Sequence, residues 1–387
     1  MTSSLLFIDE SGNERVEADW LVVAGVLVEP QDRDSFQGAV REALGRLMPG
    51  LGYPPHASVQ GSPAGRLAFT WLNERDAAAQ SLELRALLGE TRRLSSCPLP
   101  RRVQAFFDAL ARGREPDYVT EMGPCNDWLR SSRPRLHEQW QQFVDRDREG
   151  MVRLLQRLQE SSSLAVVAAA AQVGDLNFDE PGPSGFAYGL YLTLLEVLLE
   201  RAVALLRAPA PPHQIWTTVA VRDVPRWAYP EVRLVPGDLG RAIHEASQFP
   251  LLRAAPLHSS TRLLPERIVK YDERVPAGVV LADFVANRLR RVLKGLPPGA
   301  GAWNDVEREV RQTLGLPLLL QPCAIPEAGR LPTVATIDPA RQAILLAFTG
   351  PAATGPAPVL AVPPLRRQWQ LDQAERWMDA GRRWTAT

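Results

Sequence analysis

Apolar runs that end in polar or turn residues divide the start of the chain into predicted strands. Leu5–Ile8 is uniformly apolar, Asp9 and Glu10 follow it, and residues 11–13 (Ser-Gly-Asn) favour a turn. We predict a buried strand that carries Asp9 to its C-terminal end. Because successive strand side chains point to opposite faces, only one of the two carboxylates can point into a given site, and we favour Asp9.

The pattern continues with a second strand and a helix. Residues 20–28 form a β-branched run that Glu29-Pro30 ends, which predicts a strand. Residues 32–47 carry apolar side chains at helical spacing. The chain is therefore expected to open as strand, strand, helix.

A second group of periodic segments lies between residues 150 and 223. The pattern predicts a buried central strand over 164–173, a helix over 186–206 and a strand over 214–223. Asp223 ends the last strand much as Asp9 ends the first, although a turn ion pair with a neighbouring arginine also explains it. Alternating strands and helices indicate a mixed α/β sheet flanked by helices.

A late apolar helix contains another carboxylate. Asp283 lies inside the apolar run 279–288, and Asn287 follows one turn later on the same face. Burying a carboxylate costs free energy unless a cation meets it. Arg288 and Arg291 make the next part of this helix basic, which suits either a phosphate backbone or the negative end of the helix dipole.

The remaining segments are predicted to be additions to this core. Residues 61–145 are helical and Arg-rich, with three interleaved tryptophans, Trp71, Trp128 and Trp140. This composition fits either single-strand binding by stacking and charge or a solvated face over an ordinary core.

The C-terminal residues 296–387 have three predicted parts. Residues 333–348 resemble a β-hairpin about Asp338-Pro339, residues 351–364 are Pro-rich, and 366–384 form a helix with three tryptophans. Tryptophans at this density indicate docking, either on the protein's own core or on a partner protein.

Charge and cysteine content narrow the class of protein. The 387 residues include 44 Lys or Arg and 44 Asp or Glu, so a nucleic-acid partner would need a local basic patch. Three separated cysteines, Cys97, Cys125 and Cys323, argue against a disulfide framework and a structural zinc. With no signal peptide or bilayer-length apolar run, we expect a cytoplasmic, non-membrane protein.

The chain contains three short motifs in the order FIDESGN (residues 7–13), His-Ala-Ser (residues 56–58) and LADFVAN (residues 281–287). Together they resemble the domain of unknown function 3800 family. The resemblance covers roughly residues 4–60 and 150–294. It implies an RNase H-like α/β fold in which the Asp of the first strand and the Asp of the late helix face each other across a divalent-metal site. It also implies a role in mobile elements or bacterial defence.

The resemblance gives a domain division. Residues 1–60 and 146–295 would form a split RNase H-like core, with 61–145 as a helical insertion and 296–387 as a C-terminal extension. The chain departs from the family pattern at two places. Pro55 stands where members often carry an acid before the histidine, and Gln172 ends the strand where members commonly have a polar or charged functional residue.

The candidate site is a set of oxygen ligands. If Asp9, Asp223 and Asp283 converge, their repulsion calls for Mg²⁺ or Mn²⁺, and such a site suits phosphodiester hydrolysis of DNA or RNA. The further candidates are Glu10 as a metal ligand and Asn13, His56 and Asn287 in secondary roles. His56 would contact phosphate or transfer a proton, unless it is an ordinary solvated loop residue.

Three functions are compatible with these candidate site residues. The leading hypothesis is a metal-dependent nuclease. The second is a catalytically degenerate scaffold that binds nucleic acid or proteins in a larger complex. The third is another metal-dependent phosphohydrolase that acts on nucleotides.

Overall fold

The computed structural model describes a defined part of the chain. The described residues are 2–12, 20–28, 36, 38, 40, 42, 61–73, 81–161, 164–172, 185–205, 213–220, 240, 242–244, 246, 252, 261–269, 276–295, 303–324 and 343–349. The chain separates into two compact units. Unit 1 comprises Met1–Arg33 and Gln156–Thr387, and unit 2 comprises Asp34–Leu155.

All strands that the structure describes belong to unit 1. They are β1 (Thr2–Ser11), β2 (Trp20–Val28), β3 (Leu164–Gln172), β4 (His213–Ala220), β5 (Thr261–Val269), β6 (Leu318–Ala324) and β7 (Ala343–Thr349). Within the described residues they form one seven-stranded sheet in the order β5-β4-β1-β2-β3-β7-β6.

The helices are numbered along the whole chain. They are α1 (Pro63–Leu72), α2 (Leu82–Ser95), α3 (Arg101–Ala111), α4 (Gly123–Ser132), α5 (Pro134–Ser161), α6 (Gly185–Leu205), α7 (Ala277–Gly295) and α8 (Trp303–Leu314). A π-helical turn, Tyr118–Met122, precedes α4.

The sheet is mixed. Strands β1, β2 and β3 are successively antiparallel, whereas β4 lies parallel to β1 on its other side and β5 lies parallel to β4. Strands β7 and β6 extend the β3 edge in antiparallel fashion. This arrangement confirms the predicted mixed α/β sheet flanked by helices.

The two faces of β1 contact different helices. Leu6 and Ile8 belong to a buried cluster that includes Leu194 and Leu198 of α6. On the other face, Phe7 packs against the backbone of α7 at Gly278. The odd-numbered side chains of β1 therefore point toward α7.

Several predicted elements agree with the structure. The helix predicted over 186–206 is α6, the strand predicted over 164–173 is β3, and the strand predicted over 214–223 is described as far as Ala220. In the helix predicted over 32–47, residues 36, 38, 40 and 42 are described, and all four are helical.

The hairpin predicted over 333–348 is described only in its second arm. That arm is β7, which pairs with β3 on one side and with β6 on the other. The first arm, the Pro-rich segment and the Trp-rich C-terminal helix lie outside the described residues.

Unit 2 is a helical unit with its own core. Trp140, Phe106, Leu129 and Met122 are fully buried there, and Trp140 Nε1 donates a hydrogen bond to Thr91 Oγ1 at 3.2 Å. Trp140 is thus a core residue. The boundary predicted after residue 145 falls inside α5, which continues without interruption to Ser161.

Candidate functional site

Strand β1 buries Asp9 on the face that meets α7. The strand continues two residues beyond Asp9, to Ser11, so it does not end at the carboxylates as the sequence pattern suggested. Phe7, Asp9 and Ser11 share a face because strand side chains alternate. Asp9 is 8% exposed and Ser11 is 5% exposed, so both side chains lie at the strand–helix interface.

Two contacts fix the direction of α7 along β1. Near its start, a Cβ atom at Gly278 would lie 2.2 Å from Cδ2 of Phe7, so helix backbone and ring are in close contact. Further on, Ser11 Oγ donates a hydrogen bond to Asn287 Oδ1 at 2.9 Å. Helix and strand therefore run in the same direction over this stretch.

These contacts bring Asp283 to the level of Asp9. Asp283 lies one helical turn before Asn287, roughly 6 Å along the helix axis. Asp9 lies two residues before Ser11, roughly 7 Å along the strand. Since Ser11 and Asn287 are in contact, we infer that the two carboxyl groups lie beside each other, and Asp283 is also buried, at 7% exposure.

The hydrogen bonds around Asp283 form a short relay. Asn287 Nδ2 donates to Asp283 Oδ1 at 2.7 Å and to the Asp283 backbone oxygen at 3.1 Å, while its Oδ1 accepts from Ser11. Asp9 Oδ1 accepts from the backbone N–H of Glu10 at 2.8 Å. Asp283 and Asn287 therefore lie on one face of α7, as their spacing predicts.

Ser11 is a member of this group that sequence reasoning missed. The sequence pattern assigns it to the turn after the strand. Its only sequence signal is its position two residues after Asp9, which puts both side chains on one face of β1.

Glu10 does not share the face of Asp9. Alternation places its side chain with Ile8, which belongs to the cluster packed on α6. Only one of the two adjacent carboxylates can point into a given site, and the contacts of Phe7 and Ser11 identify Asp9 as the one on the α7 face.

Three of the predicted site residues, Asp223, Asn13 and His56, lie outside the described residues. Gln172 is the last residue of β3 and pairs with Trp20 of β2. In the later turns of α7, Arg288 is half-buried and Arg291 is exposed.

The donor chemistry of the site suits a hard cation. Two buried carboxylates, Asp9 and Asp283, supply oxygen atoms, the ligands that Mg²⁺ and Mn²⁺ prefer. Among the described residues, no group of three or more His, Cys, Asp or Glu side chains could hold a metal ion. The site built from these residues therefore consists of two carboxylates.

Thiolate chemistry is absent from the buried cysteines that the structure describes. Cys97 is exposed, while Cys125 and Cys323 are buried and form no disulfide. Burial raises the pKa of both buried thiols far above the usual range, so they stay protonated.

No protein-family model, no curated protein and no solved structure matches the chain. In the part of the chain that the structure describes, no helix is both long and apolar enough to cross a bilayer.

Proposed function

We propose that the protein is a divalent-metal-dependent nuclease of RNase H-like fold that hydrolyses phosphodiester bonds in DNA or RNA. The observation that carries the proposal is the contact of β1 with α7 at Phe7–Gly278 and at Ser11–Asn287. From it we infer that two buried carboxylates, Asp9 and Asp283, lie at the same level. Buried carboxylates at one place are costly unless a cation compensates them.

The topology supports the fold part of this proposal. The resemblance implies an antiparallel opening with an acid on the first strand and another on a late helix. Strands β1 and β2 are antiparallel, and the acids lie on β1 and α7. Strands β4 and β5 continue the sheet in parallel next to β1.

Asp9 and Asp283 are the residues that would hold Mg²⁺ or Mn²⁺, with Asp223 as the proposed third ligand. The ion, when bound, would lower the pKa of a water molecule and stabilise charge on the phosphate oxygens. The chain contributes the positions of the two carboxylates, both buried where β1 meets α7. His56, if it approaches the site, would contact the phosphate or transfer a proton.

The nucleic acid would be held by local charge, since the whole chain has no net charge. Arg288 and Arg291 follow Asn287 along α7, and we propose that they contact the phosphate backbone. An arginine that contacts phosphate adds to the salt dependence of binding, so substituting either residue should weaken that dependence.

A cleavage assay tests the proposal. Labelled single- and double-stranded DNA and RNA are incubated with Mn²⁺ and wild-type protein, Asp9→Asn or Asp283→Asn. We expect cleavage of at least one substrate by the wild type and a loss of at least 100-fold in each variant, because each removes a charged ligand.

A matched control uses Asp127→Asn, an exposed carboxylate on α4 that pairs with Arg130. It should cleave like the wild type. Cleavage that persists in both site variants would contradict the proposal.

The scaffold alternative is favoured by one observation. Gln172 ends β3 with an amide and not with a carboxylate, whereas a two-metal site needs three or four carboxylates. A scaffold would bind nucleic acid or a protein partner without Mn²⁺ and without cleavage, and Asp283→Asn would leave that binding unchanged.

A further inference from the structure

We propose that Ser11 is a positioning residue for Asp283 and acts through the side chain of Asn287. This inference rests on the proposed metal site and adds a residue to it. Ser11 comes from β1 and Asp283 from α7, so the relay also ties the two carboxylate-bearing elements together.

The hydrogen bonds that link Ser11, Asn287 and Asp283 have one direction of donation. An amide oxygen can only accept, so the Ser11 hydroxyl must donate to Asn287 Oδ1. The opposite end of the amide then presents Nδ2, which donates to Asp283 Oδ1. A flipped amide would bring its oxygen against the carboxylate oxygen, and two acceptors without a proton between them repel.

Because Ser11 is buried, its hydroxyl decides the orientation of the Asn287 amide. Ser11 is 5% exposed, so water is poorly placed to replace its hydroxyl. In Ser11→Ala the Asn287 oxygen loses its donor, and the amide loses the contact that distinguishes its two orientations. The Asp283 carboxylate would then rotate more freely about its side-chain bonds.

Loosening a ligand in this way lowers metal affinity. Outer partners that orient a metal ligand are typically worth 10- to 100-fold in affinity. We expect Mn²⁺ to bind Ser11→Ala about 10-fold more weakly than it binds the wild type. Asn287→Ala, which removes the bond to the carboxylate itself, should lose at least as much.

The experiment is a double-mutant cycle read by calorimetric titration with Mn²⁺. The proteins are the wild type, Ser11→Ala, Asn287→Ala and the double variant. If Ser11 acts only through Asn287, the double variant binds Mn²⁺ no more weakly than Asn287→Ala alone.

Ser4→Ala is the matched control. Ser4 is also buried on β1, and its hydroxyl is hydrogen-bonded to His213 Nε2 at 2.8 Å, near the opposite end of the strand. Ser4→Ala removes a buried hydroxyl from the same strand, so a general loss of stability would appear in both Ser4→Ala and Ser11→Ala. Mn²⁺ affinity should change only in Ser11→Ala.

The outcomes separate the two proposals. Wild-type affinity in Ser11→Ala, with Mn²⁺ binding lost in Asp283→Asn, would overturn the role of Ser11 and leave the metal site standing. Losses that add fully in the double variant, or an equal loss in Ser4→Ala, would also overturn it. A wild-type protein that takes up no Mn²⁺ would overturn both.

Discussion

At the residue scale, Gly278 is the position where the packing of α7 on β1 leaves no room for a side chain. A Cβ atom there would lie 2.2 to 2.6 Å from three carbons of the Phe7 ring. The glycine therefore allows the approach that brings Asp283 toward Asp9.

Gly278→Ala should destabilise the protein. Overpacking typically costs about 1–3 kcal/mol, which exceeds the gain of up to about 1 kcal/mol from replacing a helical glycine with alanine. Urea unfolding measures the difference. Gly89→Ala in α2 is the control, since nothing lies within 4 Å of its Cβ position, and it should be neutral or stabilising. Wild-type stability in Gly278→Ala would contradict the packing described.

A second residue-scale feature is the buried ion pair of unit 2. Arg66 Nε lies 2.8 Å from Asp147 Oδ2, and both side chains are buried. Burial raises the pKa of Asp147 from 3.8 to about 6, although Arg66 opposes the shift, and burial lowers the pKa of Arg66. Desolvation thus outweighs the attraction between the two charges.

The Arg66–Asp147 pair should make the stability of unit 2 fall as pH rises. Because the folded pKa of Asp147 lies above the unfolded value of 3.8, its contribution to stability is greatest below pH 3.8 and declines as pH rises to about 6. Between these pH values the free energy of unfolding should fall by an amount on the order of 3 kcal/mol.

The measurement compares the free energy of unfolding of wild type and Asp147→Asn from pH 4 to pH 7. The difference in free energy of unfolding, wild type minus Asp147→Asn, should decrease as pH rises. A difference that stays constant or grows would mean that the folded pKa is not raised.

At the element scale, β6 and β7 are part of the sheet and not a separate appendage. Strand β7 pairs with β3, and Phe348 on it is 1% exposed within the core that α6 covers. The Arg201 guanidinium carbon of α6 lies 3.8 Å from the centre of the Phe348 ring, and Arg201 also donates to Gln321 Oε1 of β6. Helix α6 therefore binds both added strands.

Phe348→Ala should cost about 3–5 kcal/mol, because it leaves a cavity and removes the ring over which Arg201 lies. Denaturant unfolding of the whole chain measures this loss. Leu82→Ala is the control, since Leu82 is 82% exposed and its loss should change stability by at most about 0.5 kcal/mol. A loss below about 1 kcal/mol in Phe348→Ala would show that β7 does not belong to the core.

At the scale of the whole molecule, the chain contains two units with separate cores. The unit 2 cluster is formed by side chains of helices α1 to α5, with Trp140 at its centre. A core of this kind is what allows a domain to fold alone.

We predict that residues 34–155, expressed alone, form a helical protein with cooperative thermal unfolding by circular dichroism. Trp140→Ala should abolish that cooperativity, because it removes the largest fully buried side chain. A fragment that unfolds without a transition would contradict the independence of unit 2.

The sequence was most informative where an element has one uninterrupted pattern. The apolar runs of β1, β2 and β3 are unbroken, so their strands could be predicted. Strands β5 and β6 were missed because each contains a proline, Pro265 and Pro322. Both lie at the edges of the sheet, where a missing N–H is tolerated.

The site was predictable only in part, for a related reason. Asp9 and Asp283 could be found because each ends or interrupts an apolar segment. The role of Ser11 depends on the register between a strand and a helix almost three hundred residues apart, which no local pattern contains.

We propose that Asp9 and Asp283 bind the same cation, and calorimetric titration of Mn²⁺ tests this most directly. We predict saturable binding by the wild type, loss of that binding in Asp9→Asn and in Asp283→Asn, and no further loss in the double variant. Binding that survives either single substitution unchanged would show that the two carboxylates do not share a metal ion.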